Sequence, residues 1–88
     1  MLKPVYTNKF KKDVKRIKKR KKNTDKLREL MQELEAGGEL DPKYHDHKLD
    51  GNWADRRECH IEPDWLLIYK IEDEFIIFER TGSHSDLF

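Results

Sequence analysis

The sequence has one cysteine in 88 residues, so no intrachain disulfide can form and noncovalent forces must hold the fold. It has no long hydrophobic run. The longest, Trp65-Leu66-Leu67-Ile68-Tyr69, falls far short of the ~18 apolar residues of a membrane span. Met1-Leu2-Lys3 is not followed by the apolar region of a secretion signal. No membrane association is expected, and the expected location is the cytoplasm. There is no Gly-rich phosphate loop and no Gly-x-Ser-x-Gly elbow, which removes the chemistries those motifs serve. Internal repeats and linkers are also missing, so residues 1–88 read as one domain. Hydrophobic residues make up only 35% of the chain. A core that small is marginal, and partners then matter for stability.

Charge is abundant, at 42% of residues, and almost balanced at +1. Its distribution is not even. Residues 1–26 carry twelve Lys/Arg against two Asp, whereas residues 27–88 carry seven against sixteen Asp/Glu. A basic end on a small domain suits a polyanion partner, although for the charge run alone a solvated helix face is the better account.

Lys3-Pro4-Val5-Tyr6 reads as a short edge strand, because Pro4 cannot donate inside a ladder. Thr7 is positioned to cap a helix on which Phe10, Val14 and Ile17 recur at helical spacing, with Lys11, Lys15 and Lys18 among the charged residues around them. Asn23 or Thr24 caps a second helix with the stripe Leu27, Leu30, Met31, Leu34, stopped at Gly37-Gly38. Leu40 to Asn52 lacks periodicity and reads as an ordered surface loop, pinned by Leu49 and Trp53. Three strands follow, near 55–61, 64–71 and 75–81, and the tail has room for one helical turn. The order β-α-α-β-β-β predicts an α+β fold with two helices on one face of a mainly antiparallel sheet. The loop and tail partly cover the other face. Pro63 marks a turn between the first two of these strands. A two-residue turn at Glu62-Pro63 would place His60 opposite Trp65.

His47, His60, Asp64, Arg80 and His84 lie on the loop, the hairpin, the last strand and the tail, and this topology can gather them at one end of the sheet. Singly, each has a plainer role: a hydrogen-bonded surface histidine, a turn aspartate, an arginine paired with Glu79 or Glu58. Trp65 and Phe88 have a plainer role too, as core residues. Cys59 alternates onto the core face, away from any nucleophilic use. His45-x-His47 and Cys59-His60 lack the paired spacing of structural zinc sites, so neither metal nor cofactor is expected. Imidazoles with a carboxylate and a guanidinium suit phosphodiester cleavage. One group takes the ribose 2′-hydroxyl proton, another protonates the leaving 5′-oxygen, and a cation steadies the phosphate. An aromatic ring would hold a base by stacking, and the basic helix would bind RNA phosphates.

Three segments resemble the YafQ branch of the RelE/ParE toxin superfamily. They are Asp46-His47-x-Leu49-x-Gly51-x-Trp53, Arg57 to Tyr69, and Phe78 to Phe88. The resemblance spans residues 40–88 in order and spacing, whereas the N-terminal helices match only in kind. It implies a RelE-like fold and a type II toxin that cuts mRNA in the ribosomal A site through the 2′-hydroxyl, without metal. It also implies a cognate antitoxin encoded beside the toxin. Carried over by position, the functional residues are His47, His60, Asp64, Trp65, Arg80, His84 and Phe88. The histidines and Asp64 are implied in proton transfer, Arg80 in phosphate stabilisation, and Phe88 in orienting mRNA. His45 has no counterpart. A gyrase-inhibiting ParE-like relative on the same fold is the alternative; those relatives lack the histidine-rich set.

Overall fold

A computed structural model describes residues 1–88. The elements run β1 (Lys3–Tyr6), α1 (Asn8–Lys19), α2 (Thr24–Glu35), β2 (His47–Lys48), β3 (Arg57–Glu62), β4 (Trp65–Glu72), β5 (Phe75–Gly82) and α3 (His84–Leu87). They form the expected α+β arrangement. The five strands make one sheet in the order β1-β5-β4-β3-β2. Only β1 and β5 run parallel: the two helices carry the chain from β1 to β2 at the opposite edge, and the antiparallel run β2 to β5 returns it to pair beside β1. The segment expected as loop adds the two-residue β2 at the sheet edge and two 3-10 turns, Pro42–Tyr44 and Gly51–Trp53.

Local chemistry sets the helix ends. The Thr7 hydroxyl oxygen accepts from the Phe10 amide at 3.0 Å and donates to the Glu79 carbonyl at 2.9 Å, so one side chain caps α1 and ties it to β5. Asn23 caps α2 through the Asp25 amide at 3.0 Å. Gly37, at φ +79°, supplies the left-handed residue that ends α2.

The sheet has an apolar cluster on each face. Phe10, Ile17, Leu27, Leu30 and Leu34 of the helices bury Cys59, Trp65, Leu67, Tyr69, Ile76 and Phe78. On the other face Leu66 and Ile68 are covered by Leu87, Leu49 and Trp53, which pins the 40–54 segment and the tail as expected. Central β4 is thus buried on both sides, and this explains its uninterrupted apolar run.

One expectation fails at the β3–β4 turn. His60 pairs with Leu66 and Glu62 with Trp65, with an irregularity between His60 and Glu62. The turn is therefore Pro63-Asp64, and the bulge takes up Ile61. Trp65 joins the helix-side core at 1% exposure, where its indole N–H donates to the Thr81 hydroxyl at 3.0 Å. It does not stand beside His60, and no base can stack on it.

Candidate active site

All four histidines gather beside the β3–β4 turn. His60 is the hub. Its ring centroid lies 5.7 Å from His45, 6.2 Å from His47 and 5.9 Å from His84. Four elements deliver them. His60 lies in the second half of β3, and His47 sits on β2 opposite Glu58. His45 closes the first 3-10 turn at φ +50°. His84 opens α3, whose Ser83 cap forms a reciprocal box with Asp86.

Two carboxylates organise these rings. Glu58 and His60 are two residues apart on a strand and share a face. Glu58 is 6% exposed; its Oε1 lies 2.9 Å from His60 Nε2 and 4.0 Å from His47 Nε2. Asp64 Oδ1 accepts from the His84 amide at 2.9 Å and from His84 Nδ1 at 2.6 Å. Those two bonds, the amide first, hold the Asp64 carboxyl below the usual carboxylate range. The partners fix the tautomers. His47 Nδ1 donates to the His45 carbonyl at 2.7 Å, a bond that needs the proton on Nδ1 and leaves Nε2 free. His84 likewise keeps Nε2 free, and His60 keeps Nδ1. Three imidazole nitrogens can thus accept or deliver a proton at one place.

A cationic cluster supports the turn that carries His84. Asp86 accepts from Arg20 at 2.6 and 3.0 Å and lies 3.8 Å from Arg16. Arg16 also reaches Asp13 at 3.5 Å. Arg80 belongs to this cluster, paired with neither Glu79 nor Glu58. Its Nε donates to Asp13 Oδ2 at 2.6 Å and one Nη to Oδ1 at 3.1 Å, while Glu79 takes Arg56 at 2.6 Å. Three guanidiniums against two carboxylates leave an excess positive charge beside His84.

His47, His60, Asp64 and His84 therefore come together. Arg80 is held by Asp13 and linked to the His84 turn only through Arg16 and Asp86, and Phe88, 60% exposed, follows His84 in the same helical turn. Trp65 does not join them. Lys11, Lys15 and Lys18 line a groove between α1 and α2 with Phe10, Val14 and Leu27. The cleft of about 840 Å³ beside the histidines is bordered by Lys26, Lys43, Tyr44, His45, His47 and His60, among others. Cys59 is fully buried in the core, and burial pushes its thiol far above the ordinary range.

Sequence reasoning missed Glu58, His45, Asp13, Arg16 and Arg20. Glu58 was findable, since alternation places it on the His60 face; the others depend on contacts distant in sequence. A metal-ligating possibility was also missed. The donor atoms of Glu58, His60 and His84 lie within 4.8 Å of one another, and two imidazoles with a carboxylate suit borderline divalent cations.

Known proteins agree with this picture. The chain is 46% identical over 84 residues to the mRNA interferase toxin YafQ of Escherichia coli K12, covering 94% of this chain and 91% of that protein. A copper-bound mutant toxin from Helicobacter pylori superposes with a TM-score of 0.95 at 40% identity, covering both chains completely. The crystal structure of the E. coli DinJ–YafQ complex gives 0.92 at 44% identity, covering 100% of this chain and 99% of that one. The family model described as "Bacterial toxin of type II toxin-antitoxin system, YafQ" matches residues 2–88. With fold, length and sequence all in agreement, the chain belongs to the YafQ family of bacterial toxins of type II toxin–antitoxin systems.

Proposed function

We propose that this chain is an mRNA interferase: an endoribonuclease that cuts ribosome-bound mRNA by attack of a ribose 2′-hydroxyl on the adjacent phosphate, and that a cognate antitoxin restrains it. The observation that carries the reading is the convergence of His47, His60 and His84, each with one ring nitrogen held and the other free. One free nitrogen takes the 2′-hydroxyl proton as the oxygen attacks phosphorus. A protonated neighbour delivers a proton to the departing 5′-oxygen. The products are a 2′,3′-cyclic phosphate and a 5′-hydroxyl. Glu58 and Asp64 orient the rings, and each placed acid or base contributes ~10²–10⁴ in rate. Arg80, with Arg16 and Arg20 behind it, supplies positive potential for the phosphate.

The α1–α2 groove supports the antitoxin. An apolar floor of Phe10, Val14, Leu27 and Met31 between Lys11, Lys15, Lys18 and Arg28 fits an acidic amphipathic segment. A resident divalent cation on Glu58, His60 and His84 is a second use of the same groups, favoured by their spacing. It would occupy the lone pairs that proton transfer needs, and so would inhibit.

The test is primer extension on ribosome-bound mRNA. Wild type should cut within codons. His60→Ala and His84→Ala, folded by circular dichroism, should lose cutting and growth arrest together. Arrest with DNA damage and intact transcripts would point to the gyrase-inhibiting alternative. Full cutting by both variants would remove the catalytic assignment.

A further inference from the structure

His47 differs from the other site histidines in that its ring is held by a main-chain carbonyl. Its Nδ1 donates to the His45 carbonyl at 2.7 Å, and that carbonyl belongs to the peptide linking His45 to Asp46. The peptide is planar. Whatever fixes Asp46 therefore fixes the acceptor and, one residue on, the ring that donates to it. His45 is exposed and left-handed, at φ +50° and ψ +44°, a conformation uncommon for any residue but glycine.

Asp46 points away from the histidines. It lies just before β2 and reaches Arg57 and Tyr69, which face each other across β3 and β4. These side chains alternate with Glu58 and Ile68, so they stand on the helix-covered face of the sheet. The two Asp46 oxygens are divided between them. Oδ2 accepts from the Tyr69 hydroxyl at 2.6 Å, and Oδ1 accepts from Arg57 Nε at 2.9 Å. Tyr69 is 1% exposed within the main core cluster. Burial first, and the Asp46 bond next, push its hydroxyl far above the ordinary phenol range, so it stays a donor.

We propose that Asp46 is a positioning residue for RNA cleavage, setting the His47 ring from the opposite face of the sheet through Tyr69 and Arg57. The proposal rests on the nuclease reading above and adds to that site a residue that acts from behind it. Three observations carry it. The bond to Tyr69 ties the segment to β4, which cannot shift without disturbing a close-packed core. The second donor, Arg57, takes the other oxygen and leaves the carboxylate one orientation. The preceding 3-10 turn closes the segment from its other end: Asp41 accepts from the Lys43 amide at 3.0 Å, and the His45 amide donates to the Pro42 carbonyl at 3.0 Å. His47 Nε2 is then presented 4.0 Å from Glu58 Oε1, in place before RNA arrives.

The test measures single-turnover cleavage of ribosome-bound mRNA against toxin concentration. Asp46→Ala should lower the maximal rate ~10²-fold, the cost of misplacing a catalytic group by ~1 Å, and leave the half-saturating concentration unchanged. Asp46→Asn keeps one acceptor and Tyr69→Phe keeps the buried ring, so each should lose less. In a His47→Ala background the same substitutions should change the residual rate little, because their effect passes through that ring. Nitrogen chemical shifts in alkaline buffer, where the imidazole is neutral, read the tautomer directly. Wild-type His47 should carry its proton on Nδ1, and Tyr69→Phe should mix the two forms. A wild-type proton on Nε2 overturns the proposal even if Asp46→Ala fails to fold. So do folded Asp46→Asn and Tyr69→Phe variants that both cut at the wild-type maximal rate. An equal loss with and without His47 overturns it too, since the carboxylate would then only support the fold. Wild type that cuts no ribosome-bound mRNA removes the nuclease reading and the role of Asp46 in cleavage together. Wild type that cuts, with variants that cut alike, removes the positioning role alone.

Discussion

Asp13 is the most consequential single carboxylate for stability. It is 2% exposed in the middle of an otherwise basic helix. It accepts from Arg80 at 2.6 and 3.1 Å, from the Thr81 amide at 3.2 Å and from Arg16 at 3.5 Å. Asp13→Ala strands the Arg80 guanidinium and a buried amide. Breaking a buried ion pair by removing one partner costs ~3–5 kcal/mol, and the unsatisfied Thr81 amide lies within that loss at ~1–3 kcal/mol. A chain of this size holds roughly 4–13 kcal/mol in total, so the variant should be near its unfolding limit. Asp13→Asn keeps the shape and one acceptor and should lose about half as much. Arg80→Met removes the stranded charge, so the double variant Asp13→Leu/Arg80→Met should recover ~1–3 kcal/mol relative to additivity. Urea unfolding followed by tryptophan emission measures all of these. An Asp13→Ala loss under ~1 kcal/mol, or strict additivity in the double variant, would show that the pair does not bear on the fold in this way.

Three further outcomes follow from the geometry. A methyl group on Gly82, at φ +157°, would meet Asp86 Oδ2 at 2.9 Å and Asp86 Cβ at 3.0 Å. Gly82→Ala should therefore lose ~1–3 kcal/mol and reduce cleavage by tilting His84; wild-type melting and wild-type cutting together would contradict this. The Arg20 hydrogen bond, with the Ser83 amide and hydroxyl helping, holds the Asp86 carboxyl well below the usual carboxylate range. The folded value lies below the unfolded one, so this stabilisation is complete above the ordinary Asp value near 4 and fades as pH falls through the folded value. Urea midpoints should decline in acid, and Asp86→Asn should flatten that decline; an unchanged pH slope would count against it. Copper(II) or zinc(II) should raise the melting temperature and suppress cleavage reversibly with a chelator, and in His84→Ala, read by melting alone, the rise should vanish. An equal rise in that variant would place the cation elsewhere.

Much of the architecture was legible because local chemistry and global fold agree. Thr7, Asn23 and Gly37 punctuate the helices as their side chains dictate, and the apolar run of β4 announced a strand covered on both faces. The register at the β3–β4 turn was not legible. A single bulged residue sends Trp65 to the opposite face from the one a two-residue turn implies. Asp13 was hidden for another reason. Its partners Arg80 and Thr81 lie 67 and 68 positions away, and within α1 it looks like one acid among lysines. Of the site, the histidines with Asp64 were readable as a set; alternation puts the buried Glu58 on the His60 face, but its reach to His47 depends on β2 pairing beside β3. The base-stacking role read onto Trp65 failed because a tryptophan beside a histidine in sequence need not share its face.

The clustering of the imidazoles has a spectroscopic consequence. The chain has four histidines, and each lies against at least one other. In a proton NMR spectrum, every carbon-bound ring proton in the imidazole Hε1 window reports on this one locality, with no distant histidine to dilute the signal. Spectra of the unlabelled protein would thus register, through the same four resonances, anything that enters the space between them.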